Sequence, residues 1–202
     1  FRALNSILNL VSWPILTFPE ILDTVAEARC TLFTSLDLRA GYYQIFLDPS
    51  TADRTAFCSP DGINYKFLRV PMGISSAVPF FQKFMSRIMT GLSGTSLIIY
   101  LDDILLLGRD EQDLLDKLSQ VFDRLKMANL KLHGQKCAFS VDRVKFLGHI
   151  FTKDGIEPDQ SKVELIQNLK TPTTARQVKS ILGISGYYRK FINKYSQITE
   201  PL

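Results

Sequence analysis

With 202 residues, 46% of them apolar and 22% charged, the chain is long enough for one large or two small domains, and it carries no tract that suggests disorder. A net charge of +4 permits a nucleic-acid partner without demanding one. The apolar runs near residues 97–107 are too short and too interrupted by acids to span a membrane, and Phe1-Arg2-Ala3-Leu4-Asn5 opens no secretory signal. Phe1 in place of an initiator Met fits a fragment or a processed piece. Cys30, Cys58 and Cys137 are odd in number and widely spaced, which fits reduced thiols in an intracellular protein better than zinc or disulfides.

In chain order, the proline-punctuated stretch Trp13-Pro14-Ile15-Leu16-Thr17-Phe18-Pro19 leads into a short helix over Pro19–Ala26, with Pro near its first turn. Cys30–Leu38 reads as a strand, apolar around Asp37, and Gly41–Leu47 as a turn and a short element. Thr55–Ser59 and Ile63–Val70 flank Pro60-Asp61-Gly62, a hairpin signal. Ser75–Thr90 predicts a helix with Phe80, Phe81, Phe84, Met85 and Ile88 along one face. Ser96–Gly108 predicts two buried strands joined at Asp102-Asp103. Asp110–Asn129 is the clearest helix: Leu114, Leu118, Val121 and Leu125 form a stripe widened by Leu115 and Phe122, and acids crowd its first turn. Lys131–Phe139 and Val144–Ile150 read as two further strands, for an α+β sheet with helices on one face. Two helices follow, about 158–169 and 174–193, the second opening with the capping box Thr174-Ala175-Arg176-Gln177.

Two adjacent carboxylates inside an otherwise apolar run must lie at an exposed turn, be paired, or hold a cation. Taken alone, Asp102-Asp103 is more often an ordinary hairpin turn. Asp37, ending a buried strand, changes the odds if the sheet brings it to the same place. Three oxygen ligands with no nearby His or Cys select Mg²⁺ or Mn²⁺ over zinc. Strand alternation would put Asp102 and Asp103 on opposite faces. Between Leu165 and Thr199 there is no acid, while Lys170, Arg176, Lys179, Arg189, Lys190 and Lys194 are present with Tyr187 and Tyr188. A solvated helix face is the ordinary reading of such a run; beside a metal site it also suits a phosphate backbone.

Several of these stretches also resemble, in order, the motifs of a reverse transcriptase. They are Phe-Thr-Ser-Leu-Asp-Leu-Arg-Ala-Gly-Tyr-Tyr-Gln-Ile (33–45), Phe-Leu-Arg-Val-Pro-Met-Gly (67–73), Tyr-Leu-Asp-Asp (100–103) and Phe-Leu-Gly-His (146–149). Asn129-Leu130-Lys131-Leu132, Lys136-Cys137 and Ile-Leu-Gly-Ile-Ser-Gly-Tyr-Tyr-Arg-Lys-Phe-Ile (181–192) resemble the gypsy class of long-terminal-repeat retrotransposons. The resemblance implies a ferredoxin-like palm with partial fingers over residues 1–150, a fingers-side insertion near 48–75, and the start of a helical thumb over 151–202.

The resemblance also implies roles. Asp37, Asp102 and Asp103, with the carbonyl of Leu38, would hold two Mg²⁺ ions (Mn²⁺ as a substitute), Asp102 being favoured as the main ligand. Ala40 and Gly41 would offer N–H groups to the triphosphate, and Tyr42 would be the steric gate that selects deoxynucleotides. Without the flanking motif Tyr42 reads as a buried aromatic. Met72 and Gly73 would pack on the incoming nucleotide, with Met72 where many relatives outside the gypsy class carry Gln. Lys136 falls near the leaving pyrophosphate, or is a solvated lysine. Leu147, Gly148 and His149 would be the primer grip, His149 being equally a half-exposed strand residue. Arg176, Lys179, Arg189 and Lys190 would meet the nucleic-acid backbone.

Relatives usually place Asn-Ala-Pro where this chain has Ser76-Ala77-Val78-Pro79, which leaves the start of that helix open. The family's basic fingers strands precede the point matched by Phe1, and its connection and RNase H domain follow the point matched by Leu202. The implied activity is RNA-directed DNA synthesis on an RNA or DNA primer–template with deoxynucleotide substrates. The implied setting is a Pol polyprotein fused to RNase H and integrase, in the cytoplasm or in virus-like particles, with no membrane. A decayed element that only binds nucleic acid stays open, as does a nucleotidyl cyclase, which would have no use for a basic helical segment.

Overall fold

The computed structural model describes residues 1–9, 12–92 and 96–201. The chain divides into two compact units, Phe1–Asp142 and Arg143–Leu202.

The first unit begins with α1 (Arg2–Ile7) and α2 (Phe18–Ala28), where Pro19 occupies the first turn and needs no N–H partner. Then come β1 (Leu32–Asp37), a two-stranded ribbon of β2 (Phe57–Cys58) and β3 (Asn64–Tyr65), α3 (Ala77–Ile88), β4 (Leu97–Tyr100), β5 (Asp103–Gly108), α4 (Glu111–Met127) and β6 (Ala138–Val141). The central sheet has the order β4-β5-β1-β6. Its register pairs Leu36 with Ile104, Asp37 with Asp103, and Tyr100 with Asp103.

Alternation then assigns the faces. Leu36, Ile104, Leu106, Leu97 and Ile99 form one core with Phe81 and Met85 of α3 and Leu114, Val121 and Leu125 of α4. Phe33, Ile98, Leu105 and Leu107 belong to the opposite face and are also buried. The sheet is therefore covered on both faces, not one, and α2 packs against β5 with Ile21 fully buried. A strand whose consecutive residues Ile104–Leu107 are all apolar is what two covered faces require.

Several boundaries differ from the sequence expectation. On α3 the buried face is Ala77, Phe81, Gln82 and Met85, while Phe80 is 50% exposed. Pro79 lies within the first turn, so its displacement leaves the helix intact. On α4, Leu115 and Phe122 are exposed, with Phe122 edge-on to Phe139. Lys131–Phe139 is not one strand. The N–H of Arg39 donates to the Lys131 carbonyl and that of His133 to the Asp37 carbonyl, and Gly134–Lys136 then turns as a 3-10 helix before β6.

The second unit contains a three-stranded antiparallel sheet in the order β7 (Arg143–Phe146), β8 (His149–Thr152), β9 (Gly155–Pro158). Val144–Ile150 is therefore two strands with a turn at Leu147-Gly148, and β9 was not anticipated although Asp154-Gly155 signals a hairpin. Then follow α5 (Gln160–Gln167), capped by Asp159, α6 (Ala175–Tyr187), a 3-10 turn over Arg189–Phe191, and α7 (Tyr195–Thr199). The capping box at Thr174 and Gln177 is present, and α6 ends before Tyr188, short of the expected 193. All three cysteines are free thiols, and among the described residues no helix is long and apolar enough to cross a membrane.

Candidate active site

Asp37 and Asp103 face each other across the β1–β5 ladder, each at the end of its strand. Asp102 is not on a strand. It is the second residue of the two-residue turn between β4 and β5, so strand alternation does not set its direction. The residue before it, Leu101, has φ +58, a left-handed conformation that a branched apolar residue adopts at a cost of about 1–2 kcal/mol.

That conformation is held by Gln82 of α3, which is buried. Its side-chain oxygen accepts from the Leu101 N–H at 2.8 Å and its amide donates to the Ile99 carbonyl at 3.1 Å. Gln82 was missed in the sequence; the only signal was a polar residue on the apolar face of a helix. From the other side, the Leu38 N–H donates to the Asp102 carbonyl at 3.2 Å, tying the end of β1 to the turn.

Ala40 has φ +50 and starts the 3-10 turn Gly41–Gln44. Gly41 is buried, and a Cβ there would stand 2.8 Å from Phe81 Cζ and 3.3 Å from Asp102 Cβ. Only glycine lets the backbone approach Asp102 that closely. Tyr42, half-buried, sets its ring 4.9 Å from Phe81, and burial, then the charge of Asp102, pushes its hydroxyl pKa up. Gln44 fastens this turn to the residues before the Lys136 turn, donating to the Arg39 and Lys131 carbonyls and accepting from the Lys131 N–H at 2.7 Å.

Electrostatics single out Asp103. Burial first, then the neighbouring charges of Asp102 and Asp37, push its carboxyl up to about 6, with Lys136 acting in the opposite direction. Lys136 Nζ stands 3.8 Å from Asp37 Oδ2, and its side chain is 62% exposed. Asp103 feels the charges of both Asp102 and Asp37, and these carboxylates, with one exposed lysine beside Asp37, are oxygen donors of the type that suits a hard divalent cation. Among the described residues, however, no group of three His, Cys, Asp or Glu is gathered closely enough to hold a metal as it stands.

Met72 is 61% exposed and Gly73 has φ +91. Asn5, unremarked in the sequence, clamps this loop: its amide donates to the Gly73 carbonyl and its oxygen accepts from the Ser75 N–H, both at 2.9 Å.

In the second unit, Leu147 and Gly148 form the β7–β8 turn with φ +47 and +71. His149 is fully buried rather than half-exposed, because the rings of Tyr187, Tyr188 and Phe191 surround it at 5.1, 5.4 and 5.7 Å. Burial pushes its imidazole below the usual range. Arg176 and Lys179 are exposed on α6, and Arg189 and Lys190 on the 3-10 turn after it.

The family model described as "Reverse transcriptase (RNA-dependent DNA polymerase)" matches residues 1–151. Over the whole chain, the sequence is 38% identical to the retrovirus-related Pol polyprotein from transposon 297 and 33% to that from transposon gypsy, both of Drosophila melanogaster. It is 31% identical to the transposon Tf2-3 polyprotein of Schizosaccharomyces pombe. It spans only 19%, 19% and 15% of the lengths of these relatives. Among solved structures, it matches the foamy viral protease-reverse transcriptase in complex with double-stranded DNA, with a TM-score of 0.91 and 26% identity over 99% of this chain and 34% of that one. It also matches the same viral protein in complex with an RNA/DNA hybrid, with a TM-score of 0.88 and 26% identity over 99% of this chain and 27% of that one. The chain belongs to the reverse transcriptase (RNA-dependent DNA polymerase) family.

Proposed function

We propose that this chain is the catalytic core of an RNA-directed DNA polymerase that extends a primer 3′-hydroxyl with deoxynucleotides. The observation that carries the reading is the meeting of Asp37 and Asp103 across β1–β5, with Asp102 in the adjoining turn and the Asp103 carboxyl pushed up to about 6. A carboxyl raised by burial and by two neighbouring carboxylates is relieved by a bound cation. The ligands would be Asp37, Asp102, Asp103 and the Leu38 carbonyl. Bound there, two divalent ions supply charge neutralisation for the attacking and leaving oxygens of in-line phosphoryl transfer.

The protein's own groups divide the remaining work. The backbone at Ala40 and Gly41 can approach a triphosphate because Gly41 carries no side chain. The Tyr42 ring, braced on Phe81, forms the wall that rejects a 2′-hydroxyl. Met72 and Gly73, held through Asn5, line the incoming nucleotide. Lys136, exposed beside Asp37, balances charge or donates a proton near the leaving pyrophosphate. The Leu147–Gly148–His149 turn grips the primer, and Arg176, Lys179, Arg189 and Lys190 meet phosphates. Residues 1–150 would be palm with partial fingers, the insertion lying near 48–75, and 151–202 the beginning of the thumb. In its natural setting the chain would belong to a Pol polyprotein with RNase H and integrase, working inside the cell in cytoplasm or virus-like particles.

A second reading, a fragment that binds nucleic acid without catalysis, rests on the exposed Arg176, Lys179, Arg189 and Lys190, which suit a phosphate backbone whether or not the carboxylates act. Single-nucleotide addition by the wild-type and Asp37→Asn chains, alongside primer–template binding, separates the two. Addition lost only in the variant, with binding kept, supports the polymerase. Binding without addition in both supports the second reading.

A further inference from the structure

The β7–β8 hairpin is fastened to α6 more firmly than its own fold requires. Consecutive left-handed residues at Leu147 and Gly148 already close a two-residue turn between paired Phe146 and His149. Nevertheless both turn carbonyls accept hydrogen bonds from phenols forty residues further on. Tyr187 donates to the Leu147 carbonyl at 2.6 Å and Tyr188 to the Gly148 carbonyl at 3.0 Å. His149 Nδ1 lies 3.0 Å from the same Leu147 carbonyl, and its ring sits among those of Tyr187, Tyr188 and Phe191. A Cβ at Gly148 would come within 3.2 Å of the Tyr188 hydroxyl, so the glycine keeps the tether open.

The plainer account is that buried hydroxyls take whatever acceptor is near. It covers Tyr188, which is 8% exposed, but not Tyr187, which is 50% exposed and has water as an alternative partner. Phenylalanine at both positions would pack the same rings, so what the hydroxyls add is a fixed distance between helix and turn. The helix that ends on Tyr187, with Tyr188 as its C-cap, displays Arg176 and Lys179 to solvent.

We propose that Tyr187 and Tyr188 are positioning residues that set the Leu147–Gly148 turn from α6, so that the hold on a primer end follows the seat of α6 on the duplex. This rests on the reading of 147–149 as a primer grip. The test uses the full polymerase chain with Tyr187→Phe, Tyr188→Phe and the double variant, which keep the rings and remove only the hydroxyls. In the double variant the rate of nucleotide addition at saturating deoxynucleotide falls about tenfold. Primer–template affinity and the KM for deoxynucleotide stay within about twofold of wild type, and the melting temperature falls only by the few degrees that two lost hydrogen bonds account for. Wild-type addition rates in the double variant would overturn the proposal while leaving the polymerase reading intact. A rate loss matched by equal losses of primer–template affinity and melting temperature would overturn it in favour of a purely structural role. A wild-type enzyme that adds no nucleotide overturns the polymerase reading, and this proposal with it.

Discussion

At the residue scale, the turn that carries Asp102 is the product of two neighbours with no chemistry of their own. Gln82 satisfies the N–H of Leu101 and the carbonyl of Ile99 from within the core. Substituting Gln82→Leu keeps the volume and strands both groups, an expected cost of about 1–3 kcal/mol. Thermal melting should show that loss, and nucleotide addition should fall further than the stability change explains, since the turn is no longer held at φ +58. Gly41→Ala acts from the other side. Its Cβ, 2.8 Å from the fully buried Phe81 ring, forces overpacking worth about 1–3 kcal/mol and displaces Asp102. An alanine variant with wild-type stability and activity would contradict this placement. The carboxylates were legible in the sequence because acids interrupting an apolar run must have a reason. Gln82 and Asn5 were not, because one amide on a helix announces no partner until the chain has folded.

At the element scale, α4 shows how local chemistry fixes a long helix. Asp110 caps it by accepting from the Asp113 N–H, and Asp113 in turn accepts from the Arg109 N–H and from Lys117 Nζ at 2.6 Å. Lys117 first, then the Arg109 N–H, holds the Asp113 carboxyl down at about 2. A depressed folded pKa stabilises the fold above the ordinary carboxylate value of 3.8 and loses that contribution as pH falls through about 2. Asp113→Asn should therefore melt lower than wild type at pH 7, with the gap closing as the pH drops through that window. A gap independent of pH would contradict the assignment. This helix, α3 and strands β1, β4 and β5 of the central sheet were readable from the pattern of apolar residues. The stretch Lys131–Phe139 was not, because its backbone hydrogen bonds go to Asp37 and Arg39, which are distant in sequence. His149 was misjudged for the same reason: the rings that bury it come from some forty residues later.

At the scale of the whole molecule, each unit is assigned its own task. The first, Phe1–Asp142, gathers the carboxylates, and the second, Arg143–Leu202, carries the acid-free basic helix. If Arg176 and Lys179 meet phosphates, Arg176→Ala with Lys179→Ala should weaken binding similarly on every sequence. On duplex DNA it should also reduce the slope of log K against log salt by about 0.9 for each phosphate that is no longer neutralised. An unchanged salt slope would remove α6 from the interface. Primer extension on an RNA template with Mg²⁺ and deoxynucleotides, comparing wild type with Asp102→Asn, reads the chemistry of the carboxylate site itself. Extension by wild type, reduced to background in the variant while primer–template binding persists, is the predicted result. Equal extension by both proteins would contradict the carboxylate site.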